Sequence, residues 1–506
     1  MNGDQQRGRV VPPKFGALTI GFILFLGVWF GTDLDPDHPE MSRMMAVVVL
    51  MAFWWMTEAI PLSITALLPV VLYPFLGIMT GKDVSSLYVN HVVFLFIGGF
   101  IVALAIERWN LHQRIALRIL GRFGTEPRHV LFGFMATTAF LSMWISNTAT
   151  AMMMIPIAMS VIRQLGESSD RKTVEAYAKA IFLGIAYSAS IGGTATLVGT
   201  PPNMVFVALY EQSVPGAPAI SFVQWMMFAL PFAIVFLAAC WLVLVRSFRL
   251  TSLHVDEDPV FFARQYTNLG RMTKPERRVL CAAGLLGVLW IFRADINLGF
   301  ATVPGWSRIL NSTLGAGEYA HFVTDGTVAI LIAILLFVVP AGDGTGAALM
   351  DWPTAAKLPW DIVLLFGGGF ALAAGFNATG LTQWLGEQLH ALAGLSPILI
   401  MACICLLATF LTEFTSNTGT TQIFLPVMVA VAAAIGVDPL MLMIPATLSC
   451  SCAFMLPVAT PPNAIVFGSG QITVKDMSRI GIKLNLMGAA LITLGVYTIG
   501  RWVFGF

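Results

Sequence analysis

The tripeptide Ser-Asn-Thr occurs at 146–148 and again at 416–418, and the surroundings of the two copies match at a fixed distance. FLFIGGF at 94–100 lines up with LLFGGGF at 364–370, Pro156 with Pro426 and Gly166 with Gly436, all at an offset of 270. The basic segment after Gly166 then carries ten residues that the second half lacks, and Thr200-Pro201-Pro202-Asn203 meets Thr460-Pro461-Pro462-Asn463 at an offset of 260. A register kept over more than 60 residues and shifted once, in a charged connection, marks a duplicated chain. The fold must accommodate two copies of one unit.

Those copies are built for a bilayer. Of 506 residues, 57% are hydrophobic and 11% charged, too little polar surface to coat a water-soluble body of this size. Lys and Arg number 28 against 27 for Asp and Glu, so the net charge of +1 gives no general attraction to nucleic acid. Uncharged stretches near 15–31, 44–57, 59–80, 92–106, 180–210, 219–245, 279–292, 326–342, 362–386, 439–474 and 484–500 each suit a spanning or broken helix, about eleven crossings. The run from Phe15 to Phe30 follows Arg7, Arg9 and Lys14 but exceeds a signal core of about 7–15 residues, so it reads as a first helix. Cys240, Cys281, Cys403, Cys405, Cys450 and Cys452 lack the spacing of a zinc site or disulfide scaffold and read as packing residues.

Charge asymmetry orients the chain. With the N-terminus in the cytoplasm, the connections at 107–129, 163–179, 246–278 and 475–483 fall on the inner side and carry most of the Arg and Lys. The first outer loop holds Asp33, Asp35, Asp37 and Glu40, as the positive-inside rule requires. Arg43, Arg293, Arg308 and Arg501 are exceptions.

Residues 130–162 carry no charge and, as one helix, would run to about 50 Å, too long for the hydrocarbon layer; 391–437 is longer still, with Glu413 its only charge. Each has its Ser-Asn-Thr near the middle. Such segments fold as re-entrant hairpins, two half-length helices meeting at a tip that faces protein or water. The competing arrangement, two ordinary spans held by a polar cluster, leaves the repeat unexplained. In the proposed topology the segment at 92 enters from outside and its partner at 362 from inside, so the copies are inverted, an architecture of secondary transporters. The chain divides into N-terminal helices (1–91), a first repeat (92–245; hairpin 130–162, broken helix 180–210), a linker with further helices (246–361), a second repeat (362–474; hairpin 391–437, broken helix 439–474) and a C-terminal helix (475–506).

Two successive prolines bar continuation of a helix at Thr200-Pro201-Pro202 and Thr460-Pro461-Pro462. Thr is suited to cap the new half-helix, whose N-terminus carries partial positive charge and free N–H groups. With the two hairpin tips, four such N-termini form an anion site containing no Arg or Lys. Carbonyls freed at Gly199 and Ala459 join hydroxyls and Asn amides as hard oxygen ligands for a small alkali cation. Two symmetric cation sites follow: Ser142, Ser146, Asn147 and Gly199; and Thr412, Ser416, Asn417 and Ala459. A bound cation offsets the desolvation of a buried anion, which makes each ligand require the other.

The paired Ser-Asn-Thr and Thr-Pro-Pro-Asn motifs and the stretch Trp55-Met56-Thr57-Glu58-Ala59-Ile60-Pro61 resemble the divalent anion/sodium symporter family over essentially the whole chain. Thr460-Pro461-Pro462-Asn463-Ala464-Ile465-Val466-Phe467 is similar to its sodium-coupled dicarboxylate members. The resemblance implies an all-α integral membrane protein, a homodimer with scaffold and transport domains, and elevator-type motion. It implies Na+ as coupling ion and a di- or tricarboxylate or sulfate as substrate, contacted by Ser146, Asn147, Thr148, Ser416, Asn417 and Thr418, with Thr200, Pro201, Thr460 and Pro461 completing the pocket. Gly419 departs from the alanine expected after the second motif, which bears on the stiffness of that tip.

Sodium-coupled uptake of a C4-dicarboxylate such as succinate across the cell membrane is the leading expectation, and an anion exchanger or sulfate/sodium symporter of the same fold the alternative. A membrane enzyme needs a catalytic cluster that the isolated Glu58 and Glu413 do not supply, and a channel predicts currents without saturation. Glu58 suits a helix-end anchor near Pro61, whereas Glu413, beside Thr412, is a candidate for tuning cation affinity. The seven histidines lie outside the hairpin and break windows, and zinc or proton-relay chemistry has no support in them.

Overall fold

The computed structural model describes residues 13–124, 126–166, 170–214, 216–252, 260–297, 301–314, 322–389 and 394–506. Arg7, Arg9, His254, His321 and His390, and the start of the window at 391, lie outside them. The molecule is helical apart from a two-stranded ribbon, β1 (Ile296–Asn297) paired antiparallel with β2 (Thr302–Val303). Six helical stretches among the described residues are long and apolar enough to cross a membrane, and five shorter apolar helices accompany them. Phe15, Phe30, Phe75 and Leu407 are among many large apolar side chains left exposed, as suits a chain whose outer solvent is hydrocarbon.

The chain opens with α1 (Phe15–Gly31), α2 (Pro39–Thr57), α3 (Leu62–Thr65), α4 (Leu68–Leu76) and α5 (Gly81–Ser86). Glu58 ends α2 in the left-handed conformation (φ 46°), its N–H returning to Trp54 and Trp55 carbonyls. Its side chain is exposed, and its backbone terminates the helix. There follow α6 (His91–Arg108), α7 (Leu111–Leu120), α8 (Pro127–Ser142), α9 (Asn147–Gly166), α10 (Arg171–Thr194), α11 (Pro201–Ser213), α12 (Phe222–Ser247), α13 (Phe261–Asn268), α14 (Lys274–Ile291), α15 (Trp306–Leu314), α16 (Asp325–Val338) and α17 (Trp352–Ala355). The chain ends with α18 (Trp360–Ala378), α19 (Leu381–Gln388), α20 (Pro397–Thr412), α21 (Asn417–Ile435), α22 (Leu440–Cys450), α23 (Pro461–Gly468), α24 (Val474–Gly495) and α25 (Arg501–Phe504).

Several helices outrun their uncharged windows, because charged residues suit helix ends that reach water. Thus α8 begins at Pro127 and carries Arg128 and the half-exposed His129, and α9 runs on past Arg163. The hairpin helices therefore do contain basic residues and one histidine, at the ends away from the tip. The basic connections are also partly helical: α7 lies within 107–129 and α13 within 246–278. Of the six cysteines, none is in a disulfide; Cys240, Cys405, Cys450 and Cys452 are buried, as expected of packing residues, while Cys281 and Cys403 are exposed.

The glycine clusters of FLFIGGF and LLFGGGF are packing surfaces. A Cβ at Gly98 would lie 2.5 Å from the Ala329 backbone of α16. One at Gly368 would meet Ala66 at 2.6 Å, and one at Gly369 would meet Gln422 at 2.7 Å. Removing the side chain lets helix axes approach where no other residue would fit. Two apolar cores result: one joins α1–α5 to α18 and α19, and the other holds the remaining helices together. Tyr73 Oη, donating to the Ala371 carbonyl at 2.8 Å, ties the first core to α18.

Candidate functional site

Helix α8 stops at Ser142 and α9 starts at Asn147; α20 stops at Thr412 and α21 starts at Asn417. At the first turn of each new helix a serine hydroxyl accepts the third N–H: Ser146 Oγ from Ala149 (3.2 Å) and Ser416 Oγ from Gly419 (3.4 Å). The next N–H of each helix goes to the serine carbonyl, Thr150 to Ser146 at 3.0 Å and Thr420 to Ser416 at 2.8 Å. The N–H groups of Asn147, Thr148, Asn417 and Thr418 occupy the first two positions of their helices, where no intrahelical acceptor exists. Capping leaves each serine its own proton to donate.

Behind each tip the same three oxygens converge. Ser142 Oγ sits within hydrogen-bond reach of Asn147 Oδ1 and, at 2.7 Å, of the Ala189 carbonyl. Thr412 Oγ1 lies 2.7 Å from Asn417 Oδ1 and 3.0 Å from the Cys450 carbonyl. Both hydroxyls are fully buried. One hydroxyl proton faces two acceptors, so each cluster holds more lone pairs than it has hydrogens to satisfy. Among the described residues no group of three His, Cys, Asp or Glu side chains is placed to hold a metal ion. The donor set at the tips is neutral oxygen, which suits a hard monovalent cation.

The two helix breaks lean on these tips. Gly193 lies against the Asn147 amide, with a Cβ there 2.5 Å from Oδ1, and Gly199 packs onto the Gly193 backbone. Thr196 Oγ1 donates to the Met143 carbonyl at 2.6 Å, joining the first break to its tip. Ser142, Asn147 and Gly199 are thus brought together. On the other side Glu413, 1% exposed, receives the N–H groups of Phe454 (2.7 Å), Met455 (2.9 Å) and Leu456 (3.0 Å) and the Asn485 amide (2.7 Å). Ala459, bonded through its N–H to the Leu456 carbonyl at 3.3 Å, is positioned through that carboxylate.

The prolines change the expected chemistry of the breaks. Thr200 and Thr460 occupy the N-cap positions of α11 and α23, but neither hydroxyl caps its helix. The first two helical residues, Pro201-Pro202 and Pro461-Pro462, have no N–H, and the third N–H of α11, that of Asn203, goes to the Thr200 carbonyl at 3.2 Å. These two N-termini therefore offer a dipole and a threonine hydroxyl in place of the free N–H groups expected from the motif. The backbone N–H groups free at the first two helical positions are those of the Ser-Asn-Thr helices.

Sequence reasoning passed over the asparagines that close the motif. Asn203 Nδ2 donates to the carbonyls of Gly193 (3.3 Å), Thr194 (3.2 Å) and Thr196 (2.8 Å), and Asn463 Nδ2 to those of Ala453 and Leu456, both at 3.0 Å. Each binds up the unwound backbone before its own helix, and their conservation of place at the 260 offset was the available signal. Trp55 was also missed: its Nε1 holds the Leu62 carbonyl (3.0 Å), and its side chain lies against Gly419.

The halves interlock. The helix that starts at the first tip, α9, packs on α23, which starts at the second break, and α21 packs on α11. Beside the first tip a cavity of about 710 Å3 runs along one face of α9, from Ile145 and Thr150 to Ser160, with Gln113 of α7 and Gln265 of α13 opposite. Burial pushes the His112 imidazole in its wall below its usual pKa, against the opposing pull of the Ile106 carbonyl 3.1 Å away, so it adds no cation. At the second tip the cavity is about 140 Å3, closed by Trp55 and Met56.

The model of the sodium:sulfate symporter transmembrane region matches residues 17–506. A sodium-dependent dicarboxylate transporter, SdcS, of Staphylococcus aureus (strain bovine RF122 / ET3-1) is 43% identical over 96% of this chain and 91% of its own. The protein of the same name from strain MSSA476 is 43% identical over 91% of this chain and 86% of its own. Among solved structures, that of the Alcanivorax borkumensis YdaH transporter superposes with a TM-score of 0.56 at 14% identity, covering 90% of this chain and 99% of that one, a likeness of fold.

Proposed function

The chain belongs to the sodium:sulfate symporter family, and we propose that it couples sodium entry to the uptake of a small di- or tricarboxylate, with a C4-dicarboxylate such as succinate as the preferred substrate. The observation that carries this reading is the matched pair of buried oxygen clusters, Ser142–Asn147–Ala189 and Thr412–Asn417–Cys450, each one turn behind two free backbone N–H groups. Similarity at 43% identity to relatives named as sodium-dependent dicarboxylate transporters supports the choice of ion and anion.

The chemistry follows from proton counting. Ser142 and Thr412 each have one hydroxyl proton within reach of an asparagine Oδ1 and a backbone carbonyl, and can give it to the carbonyl of Ala189 or Cys450. When sodium enters, the amide oxygens and hydroxyl lone pairs turn toward it, with Ser146, Gly199, Ser416 and Ala459 completing the two sites. Each asparagine then has its Nδ2 directed away from the ion, toward the anion. The carboxylates take the N–H groups of Asn147, Thr148, Asn417 and Thr418 and the hydroxyls of Ser146, Thr148, Ser416 and Thr418, with Thr200, Pro201, Thr460 and Pro461 as walls. Residues 143–148, 195–203, 413–419 and 451–463 contain no Lys or Arg, so the positive charge comes from helix dipoles and the co-bound ions.

Alternating access by an elevator motion of the tips and breaks against the remaining helices, within a homodimer whose N-termini are cytoplasmic, completes the reading. The larger cavity at the first tip, on the side of the Arg-rich connections, suits an inward-facing state. Reconstituted vesicles test the whole. Uptake of radiolabelled succinate should need an inward sodium gradient and no internal anion, and potassium should not replace sodium. Uptake confined to anion-preloaded vesicles would establish an exchanger instead, and sulfate outcompeting succinate would reassign the substrate.

A further inference from the structure

A second cavity, of about 310 Å3, lies between α6, α7, α14 and the first tip, and none of the proposed cation or substrate residues lines it. Its lining residues are all Gly, Ala, Val, Leu, Ile, Phe or Trp. Of its two indoles, Trp290 already donates to the Asp325 carbonyl at 3.0 Å. Walls of this kind do not hold water, so the slot calls for an apolar occupant.

Its mouth shows which. Along α14 the slot is bounded by Leu280, Gly284 and Val288, with Phe140 of α8 facing them, and all four are exposed on their outer sides. A Cβ built at Gly284 meets nothing within 4 Å. These positions lie within apolar helices, where the surroundings are hydrocarbon, so the slot opens sideways into the bilayer. Toward one end it is lined by Ile115 of α7 and Leu280 of α14. One helical turn farther out on the same faces stand Arg118 and Arg277, both exposed and, among the described residues, in no ion pair. Helices α7 and α14 pack together, and each arginine stands one turn beyond a residue that lines the slot.

We propose that this slot binds one anionic phospholipid, an acyl chain filling the apolar part and the phosphate resting on Arg118 and Arg277. A basic pocket between membrane helices is a recurrent headgroup site, and each buried methylene adds to the hold. The inner wall is Leu141, Trp144 and Ile145, interleaved with Ser142 and next to Ser146, so the chain lies directly against the tip that carries the first cation cluster.

The test is native mass spectrometry of the full chain released from nanodiscs of phosphatidylglycerol and phosphatidylcholine in equal parts. Wild type should retain phosphatidylglycerol in preference to phosphatidylcholine. Gly284→Phe places a ring in the open slot and should cut retention of both lipids, with elution and melting temperature unchanged. Arg118→Ala with Arg277→Ala should remove the preference for phosphatidylglycerol, a loss of about thirtyfold. Arg171→Ala, 91% exposed and paired with Glu175, should change nothing. Retention by Gly284→Phe equal to wild type, a preference that survives the double arginine variant, or a wild type without bound lipid because a second copy of the chain covers the slot would each overturn the assignment.

Discussion

Replacing Glu413 by Gln tests how the proposed second cation site is held. The carboxylate accepts four hydrogen bonds between 2.7 and 3.0 Å, three of them from consecutive backbone N–H groups of the unwound segment ahead of α23. A glutamine keeps one acceptor oxygen, which serves Phe454, Met455 and Asn485 as Oε1 does now, but turns an NH2 toward the Leu456 N–H. One charge-assisted bond is lost and one buried donor is orphaned, a cost of about 2–3 kcal/mol. Glu413→Ala removes all four, about 6 kcal/mol or more, comparable to the whole stability of an ordinary domain. Because Ala459 hangs on the Leu456 carbonyl, the weaker variant should also loosen the second cation site. We expect Glu413→Gln to melt a few degrees below wild type in detergent. In vesicles it should need several-fold more sodium for half-maximal succinate uptake, while succinate affinity at saturating sodium stays near normal. Asn485→Leu, which removes one donor to the carboxylate, should shift both readouts in the same direction by less. A Glu413→Gln protein with unchanged melting temperature and unchanged sodium dependence would show that the carboxylate does not organise the break.

Further outcomes follow from the same geometry. Asn147→Ala and Asn417→Ala should each abolish sodium-driven uptake, because each removes an amide proposed to face both ion and anion, whereas Cys403→Ser, on the exposed face, should leave it intact; normal uptake by the asparagine variants would remove both from the site. Gly193→Ala forces a methyl to within 2.5 Å of Asn147 Oδ1 and should cost most of the transport rate. Gly419→Ala places its methyl at ordinary contact with Ser416 and Trp55 and should raise stability by about 0.5–1 kcal/mol with uptake preserved, measurable as a higher melting temperature. Arg114, 4% exposed, is bonded through Nε to Glu276 at 3.0 Å and through Nη1 to the Gly270 carbonyl at 2.9 Å. Arg114→Ala leaves Glu276 buried without its partner and should destabilise by about 3–5 kcal/mol, read as a drop in melting temperature that Glu276→Gln does not reverse fully.

Much of this was legible in the order of residues alone, for a physical reason. A bilayer forbids unsatisfied backbone, so a Ser-Asn-Thr or Thr-Pro-Pro-Asn inside an apolar stretch can only be a break that has found partners, and its duplication announces two of them. The helix starts at Asn147, Pro201, Asn417 and Pro461 follow from capping and proline stereochemistry acting over a few neighbouring residues. What those partners are was decided only by the folded molecule. Asn203 and Asn463 could as easily have faced substrate; their amides turn back to carbonyls seven and ten residues earlier because the chain doubles on itself there. The sequence placed Glu413 beside Thr412, a proposed cation ligand, but its engagement with residues 454–456 and 485 depends on α20 meeting α22 and α24 across the core. The two prolines at each break told that a helix must restart and concealed that its first N–H groups are missing as donors to a ligand. Local stereochemistry is written in adjacent residues; the direction of a buried amide or carboxylate is set by whichever distant backbone is left in need of a hydrogen bond.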